Sequence, residues 1–368
     1  MSGFDTEVLV AGLGPAGAVA AAAAAAGGAR VLAIDRRAQA GLPVQCAEFV
    51  PMMLGGDTPA VRAARVQDIT TMDTYVRGAG PDITPDFRGH MIDRAAFDAA
   101  LVEAARRAGA EVRLATPLRA VAPDGTCTLA DGTRLRPRVL IGADGPRSLV
   151  GRAAGMPNRA LMETRQMSVD LPGPHDATDI FLRPEIAGGY AWLFPKGGLA
   201  NLGLGILPAK KALLKPLLDA LHAELLAARR VGPRLARLTG GLIPVGGIAG
   251  LAARLGPTQV LLAGDAAGLV NPVTGAGITP AVLSGRMAGR AAAALIAGDA
   301  AAAADYAEEA SDLFGPSIAL ALARRGEILA ASAAGPVTDA ALRRGWIAYD
   351  DYWSRTPANA LWEVKEPA

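Results

Sequence analysis

Cysteine, histidine and aromatic side chains are scarce in these 368 residues, and each shortage closes off a class of protein. Two cysteines, Cys46 and Cys127, are too few for a disulfide framework or a cysteine-rich zinc site, and nothing calls for an oxidising compartment. Three histidines, His90, His175 and His222, stand far apart and in no metal-ligand spacing, so no metal is expected. An excess of one charge is missing too: 37 basic against 35 acidic residues leave a formal charge of +2, which gives no electrostatic case for nucleic acid. One uncharged run, Val8 to Ala29, is long enough to span a bilayer. It is broken by Gly12, Gly14, Pro15, Gly17, Gly27 and Gly28, it is mostly alanine, and Asp5 and Glu7 precede it where a signal peptide carries positive charge. A soluble, cytoplasmic protein is therefore expected.

What the chain has in quantity is apolar and small residues: 51% hydrophobic, with 44 glycines. That composition suits a large core in two domains, or in one domain interrupted by another. Glu7 to Ala11 reads as a short strand, Gly12 to Gly17 as the turn G-L-G-P-A-G, and the alanine-rich stretch to about Ala26 as a helix. Arg30 to Ile34 then makes a second strand ending at Asp35, which completes a βαβ unit. Gly12 permits the tight turn, Gly14 lets the backbone approach a pyrophosphate, and Gly17 allows helix and strand to pack closely. Pro15 and Ala16 open the helix whose N-terminus meets the anion. Asp35, followed by Arg36, is placed to accept hydrogen bonds from a ribose diol. A dinucleotide is the expected ligand.

A second strand-and-turn lies far downstream. Val260 to Ala263 leads into Gly264-Asp265, and Asn271-Pro272-Val273-Thr274-Gly275-Ala276-Gly277 precedes a helix from Ile278. Asp265 can accept bonds from a sugar alcohol, and the N–H groups after Gly275, Ala276 and Gly277 can stabilise negative charge at a helix start. Asp265 can equally be an ordinary N-cap.

With these motifs the sequence resembles the FAD-dependent oxidoreductases of the glutathione-reductase and p-hydroxybenzoate-hydroxylase fold, and within them the geranylgeranyl reductase family. The resemblance spans most of the chain. G-L-G-P-A-G is similar to the ADP-binding fingerprint, I-G-A-D-G-P-R-S at Ile141 to Ser148 to the hydroxylase motif carrying Asp144 and Gly145, and A-G-D-A-A-G-L-V-N-P-V-T-G-A-G-I at Ala263 to Ile278 to the ribityl-binding motif. It implies FAD as cofactor and brings Arg94, in M-I-D-R-A-A-F-D, toward the flavin; by chemistry alone Arg94 can instead pair with Asp93 or Asp98 on a solvated face. Glu111 to Leu114 is expected as a strand, and Leu118 to Val121 as its continuation toward the adenine, with Val121 in contact. That placement rests on the resemblance.

Pro43-Val44-Gln45-Cys46-Ala47-Glu48 is similar to a cysteine motif the family holds near the flavin ring, although Ala47 stands where glycine is usual. Cys46 and Ala47 are thus cofactor-contact candidates, and Cys46 a candidate for contacting substrate or delivering a proton; a structural cysteine is the plain alternative. Gly188 to Gly198 is the densest aromatic stretch, and Tyr190, Trp192 and Phe194 share one strand face. Their sequence, G-Y-A-W-L-F-P-K-G, resembles the segment prenyl reductases present to substrate; core filling is the alternative. Tyr190 and Trp192 join Cys46 as catalytic candidates. A leucine stripe from 212 to 228, with Pro216 in its first turn, either covers a sheet or rests on a membrane.

The fold expected is α/β: a Rossmann-type FAD-binding domain, an inserted β-sheet substrate domain and a helical C-terminal segment. The FAD domain is expected over residues 1–75, 88–155 and 256–300, the substrate domain over 156–255 with 76–87, and the helices over 301–368, where Trp346, Tyr349, Tyr352, Trp353 and Trp362 can anchor packing. No second G-x-G-x-x-G follows a strand, so the electron donor, NAD(P)H or a reduced redox protein, must dock transiently. The resemblance implies reduction of carbon-carbon double bonds in an isoprenoid or similar hydrophobic substrate, with peripheral membrane contact as a further expectation. The alternative is an FAD monooxygenase hydroxylating an aromatic substrate with NAD(P)H and O2. Tryptophan-type halogenation needs a lysine early in the chain, and none precedes Lys196. A flavin-free prenyl-binding escort protein would not need Asp35, Arg94, Asp265 and the Gly275 turn together.

Overall fold

The computed structural model describes residues 5–52, 58–234 and 238–354. Two sheets organise them. The first has six strands, in spatial order Ala252–Leu255, Thr258–Leu262, Pro137–Gly142, Thr6–Ala11, Val31–Ile34 and Glu111–Arg113. All neighbours are parallel except the edge pair Ala252–Leu255 with Thr258–Leu262. Its central strands are buried on both faces, as a parallel sheet covered by helices requires.

The alanine run has a packing reason. Pro15–Ala26 forms a helix whose Ala18, Ala20, Ala21 and Ala24 have no exposed surface, and it packs against the Ile278–Ala297 helix. Glycines on that second helix let the two backbones meet: a Cβ on Gly285 would stand 2.2 Å from the Ala16 carbonyl oxygen, and one on Gly289 2.4 Å from that of Ala20. Residues without bulk on one helix face glycines on the other, so the helix axes approach closely.

The second sheet has seven strands in the order Leu242–Pro244, Leu161–Asp170, Leu199–Ile206, Ala191–Lys196, Ala177–Leu182, Thr71–Val76 and Asp82–Thr84. It is antiparallel apart from the parallel pair Ala177–Leu182 with Thr71–Val76. The chain therefore crosses to this sheet at Thr71, five residues before the boundary expected from sequence; a parallel partner leaves no local turn signal to mark it. One face of the sheet is covered by the Leu214–Ala227 helix through Leu214, Leu218, Leu221 and Leu225, which realises the sheet-covering reading of the leucine stripe. The other face carries Tyr190, Trp192 and Phe194 into a core shared with Trp346 and Tyr352 of the C-terminal helices.

A second expectation fails. Leu118–Val121 does not extend Glu111–Arg113 but joins Cys127–Leu129 and Arg134–Leu135 in a separate three-stranded sheet. Ala115 takes a left-handed φ of 52°, its N–H and that of Thr116 turn back to the carbonyls of Arg37 and Asp35, and Pro117 follows. That kink ends the strand. The Ala302–Ala334 helix closes the first sheet's core through Tyr306, Ala310 and Phe314, and the Tyr306 hydroxyl donates to the Leu262 carbonyl at 2.5 Å. No described helix is long and apolar enough to cross a membrane. Trp362 lies outside the described residues.

Candidate flavin and substrate site

The first turn has the geometry a pyrophosphate cradle needs. Gly12 sits at φ 97°, where a Cβ would stand 2.3 Å from the Ala143 carbonyl oxygen, and a Cβ on Gly17 would stand 1.8 Å from that of Gly12. Gly14 differs: nothing lies within 4 Å of its Cβ position, so the backbone there faces open space. The helix beginning at Pro15 has no side-chain cap and no acid in its first turn, which leaves its N-terminal partial charge available to an anion.

Asp35 is buried at the end of the Val31–Ile34 strand, and its two carboxylate oxygens accept from the backbone N–H of Leu13 at 2.7 Å and of Arg37 at 2.7 Å. It thus locks the glycine turn and keeps lone pairs for a further donor. Arg36 beside it is exposed. Asp144 is occupied locally: its carboxylate accepts from the Ser148 hydroxyl at 2.5 Å and the Leu149 and Val150 N–H groups, capping the Leu149–Ala153 helix. Gly145, at φ 86°, has open space at its Cβ position. Val121 is half-buried in the small separate sheet.

Gly264 joins the first and third motifs, since a Cβ there would meet Ala16 at 2.9 Å. Asp265 caps no helix: neither its own 3-10 turn nor the helix after Gly277 has a side-chain cap, and its carboxylate accepts from its own backbone N–H. Burial raises its pKa to about 6 against the opposing pull of Arg94. Its Oδ1 lies 3.3 Å from the Cβ position of Gly277, under the start of the Ile278–Ala297 helix. Thr279 in that first turn has a buried hydroxyl without a partner among the described residues. An uncapped helix start, a carboxylate with spare lone pairs and an orphaned hydroxyl together ask for a polyhydroxylated, electron-rich ligand. Gly275 makes the preceding turn at φ 69°, Ala276 is exposed, and Pro272 is buried with its carbonyl facing Arg325 at 3.4 Å.

Arg94 opens its helix behind the Asp93 N-cap, and its guanidinium pairs with Asp98 at 2.7 Å. Asp98 is buried and Arg94 half-buried, so the pair is not on a solvated face, and it raises the Arg94 pKa; the Cys46 thiol also lies against the guanidinium. Arg94 and Tyr190 thus both feel the Cys46 thiol, and Asp265 feels the Arg94 charge. The Tyr190 hydroxyl donates to the Thr274 carbonyl at 2.6 Å, which ties the aromatic strand to the ribityl-type loop.

The sequence reading named Cys46 and Trp192 but missed what holds them. Glu48, at a left-handed φ of 71° and almost fully buried, accepts from Lys196 Nζ at 2.9 Å, Asn201 Nδ2 at 2.9 Å and the Arg94 N–H at 2.9 Å. Its own N–H donates to the Cys46 sulfur at 3.2 Å. Gln166 accepts from the Trp192 indole at 3.1 Å and donates to the Cys46 carbonyl at 3.1 Å. Trp192 lies across Gly203, where a Cβ would stand 2.4 Å from the ring. Phe194 meets Phe49 edge-on at 6.0 Å. The aromatic row is thus buried core and, through Gln166 and Glu48, also the wall behind Cys46. Among the described residues no cluster of His, Cys, Asp and Glu fits a metal.

A Rossmann-type domain with this turn, this second carboxylate motif and an inserted antiparallel sheet defines a flavin-dependent oxidoreductase. The model of the geranylgeranyl reductase catalytic domain matches residues 161–232, which hold four strands of the second sheet and the helix that covers it. A digeranylgeranylglycerophospholipid reductase of Methanopyrus kandleri is 35% identical over 314 residues, covering 80% of this chain and 78% of its own. The crystal structure of a geranylgeranyl bacteriochlorophyll reductase-like protein from Thermoplasma acidophilum superposes with a TM-score of 0.80 at 25% identity, over 91% of this chain and 89% of that one. Aklavinone-11 hydroxylase, solved with FAD and aklavinone, shares the fold alone, at a TM-score of 0.65 and 24% identity over 90% of this chain and 69% of its own. The chain belongs to the geranylgeranyl reductase family of FAD-dependent oxidoreductases.

Proposed function

We propose that this protein saturates carbon-carbon double bonds of a geranylgeranyl-type lipid. The observation that carries this reading is the junction at Cys46: a thiol, a half-buried arginine and a dry aromatic wall meet beside the Asp265 motif, and the relatives matched over most of the chain are named as lipid reductases. When bound, FAD supplies a hydride to one carbon of the double bond. The chain's residues do the rest.

Asp35 and the open backbone at Gly14 hold the dinucleotide end, and Asp265 with the Gly277 helix start holds the sugar-alcohol end. Arg36, Ala47, Val121, Gly145 and Pro272 belong to the same binding surface in this reading. Tyr190, Trp192 and Phe194 exclude water from an apolar chain. The second carbon needs a proton, and Cys46 is the donor of choice, since Tyr190 spends its hydroxyl proton on the Thr274 carbonyl. Trp192 supports Cys46 through Gln166. NAD(P)H or a reduced redox protein delivers the electrons by transient docking, and the exposed Leu213 and Leu226 offer a contact to the membrane that stores the lipid.

The test is anaerobic incubation of the dithionite-reduced protein with a geranylgeranyl ether lipid, followed by mass spectrometry. Products gaining two hydrogens per double bond support the reading. A product gaining oxygen, formed only when air and NAD(P)H are admitted, makes the protein a monooxygenase instead.

A further inference from the structure

Gln166, Asn201 and Lys196 stand on three neighbouring strands of the second sheet, Leu161–Asp170, Leu199–Ile206 and Ala191–Lys196. The register sets all three on the face that carries Trp192 and Phe194: Gln166 lies opposite Gly203, Gly203 opposite Trp192, and Asn201 opposite Phe194. Each of the three side chains engages one successive residue of the cysteine segment. Gln166 Nε2 donates to the Cys46 carbonyl at 3.1 Å, Asn201 Nδ2 to the Ala47 carbonyl at 3.2 Å, and Lys196 Nζ to the Glu48 carboxylate at 2.9 Å. Cys46 belongs to the flavin-binding half by chain order, yet its carbonyl and the next are held by the substrate sheet. The Glu48 N–H, donating to the Cys46 sulfur at 3.2 Å, closes the segment on the thiol itself.

Gln166 is used at both ends of its amide. The Trp192 indole can only donate, so Oε1 must face it, as it does at 3.1 Å, and Nε2 is thereby turned to the Cys46 carbonyl. The indole crosses the intervening strand because that strand carries Gly203 there; a Cβ would stand 2.4 Å from the ring. The backbone of Gln166 is fixed as well, since its N–H and carbonyl both pair with Thr239 at 2.9 Å, and the residue is buried. A wall aromatic thus sets the direction of an amide, and the amide sets the place of the cysteine.

We infer that Gln166, oriented by Trp192, is a positioning residue for proton delivery: it registers Cys46 to the sheet that faces the lipid chain, and Asn201 holds the next carbonyl in the same frame. The inference rests on the proposed double-bond reduction. The step it serves is transfer of the thiol proton to the second carbon, in which the S–H bond breaks, a C–H bond forms and the S–H electron pair stays on sulfur. Donor and double bond then keep one distance, and a misplacement of about 1 Å costs on the order of a hundredfold in rate.

Q166E keeps an oxygen toward the indole and sets a second one against the Cys46 carbonyl, so it cuts one bond and spares the other. Turnover of a geranylgeranyl ether lipid, flavin content and the rate of Cys46 alkylation by iodoacetamide are measured on the FAD-loaded full chain. Expected for Q166E are a kcat lower by about tenfold or more, a KM within about threefold of wild type, a larger solvent deuterium isotope effect on kcat, unchanged flavin content and faster alkylation. W192F keeps an aromatic ring but frees the amide, and moves the same readouts the same way by less; it carries the test if Q166E does not fold. The double variant should be no slower than Q166E, since both changes act on one link. A folded Q166E with wild-type kcat and alkylation, or with a raised KM and intact kcat, overturns the inference. If the wild type saturates no prenyl lipid, the reduction reading falls by itself, and the alkylation rates decide the hold on Cys46: equal rates in wild type and Q166E overturn it.

Discussion

Glu48 and Lys196 form an ion pair, with Nζ 2.9 Å from both carboxylate oxygens, across the junction between the flavin-binding half and the substrate sheet. The carboxylate is nearly buried, and it also receives Asn201 and the backbone N–H of Arg94. Three segments distant in sequence are fastened at one side chain, two residues from Cys46. Glu48→Ala leaves a partly exposed ammonium and two further donors without their acceptor, and loss of one member of a fully buried pair costs about 3 kcal/mol or more, so a somewhat smaller loss is expected here. A lower urea midpoint together with faster alkylation of Cys46 is the expected result; an unchanged alkylation rate would show that Glu48 does not fix the thiol.

The two glycines of the first turn separate folding from cofactor binding. Gly17→Ala drives a Cβ into the Gly12 carbonyl and is expected to destabilise the whole turn. Gly14→Ala meets no protein atom, so stability changes by no more than about 1 kcal/mol, yet the methyl occupies the side from which a pyrophosphate arrives. FAD content of the purified variant and its melting temperature, measured together, check the contrast: G14A should be folded and pale.

The two cysteines should react very differently. Cys127 is fully buried, and burial with the nearby Asp124 pushes its pKa up to about 12. Its thiolate is negligible at neutral pH. Iodoacetamide mass mapping of the native protein should label Cys46 alone, and Cys46→Ser should retain FAD while losing reductase turnover. Full turnover in C46S would remove Cys46 from the proton path.

Asp265 makes the cofactor-stripped protein pH-sensitive in a defined direction. Its folded pKa of about 6 exceeds the unfolded carboxylate value, so its contribution to stability is complete below about pH 4 and is lost as pH rises through about 6. Asp265→Asn removes that loss. The stripped variant should be more stable than wild type by on the order of 2 kcal/mol near pH 8, with the gap closing toward about pH 4. It should also hold FAD less tightly. Urea titrations of both apoproteins at the two pH values decide it.

His175 acts in another window. Its Nε2 lies 3.0 Å from Asp179 Oδ1, and this bond raises its pKa above the ordinary imidazole value. The charged imidazole stabilises the fold fully below about pH 6.5, and the benefit falls away as pH rises through the raised value. His175→Gln should flatten that decline in thermal melts across neutral pH, while Arg230, 2.6 Å from Asp179, keeps the carboxylate paired.

Much of the flavin half was legible because its requirements are local. A tight turn needs Gly12 and Gly17 at fixed spacing, a strand end carries Asp35, and Asp265 stands in the same relation to the second turn. The aromatic alternation at Tyr190, Trp192 and Phe194 was equally plain, since strand period puts alternate residues on one face. What escaped depends on contacts between distant segments. Glu48, Gln166 and Asn201 look like ordinary polar residues until three strands bring them to Cys46. Asp144 reads as a ligand residue in its motif, yet its oxygens cap the next helix. The misplacement of Leu118–Val121 came from a left-handed alanine, Ala115, a conformation that no alanine advertises.

The central claim is that electrons stored on the bound flavin leave through a prenyl double bond. Rapid-scanning absorbance of the anaerobically reduced protein, mixed with a geranylgeranyl ether lipid in detergent, tests this most directly. The oxidised flavin bands should return in step with the loss of double bonds, at a rate that rises with lipid concentration and collapses in C46S. A flavin that stays reduced until oxygen is admitted, whatever the lipid, would contradict it.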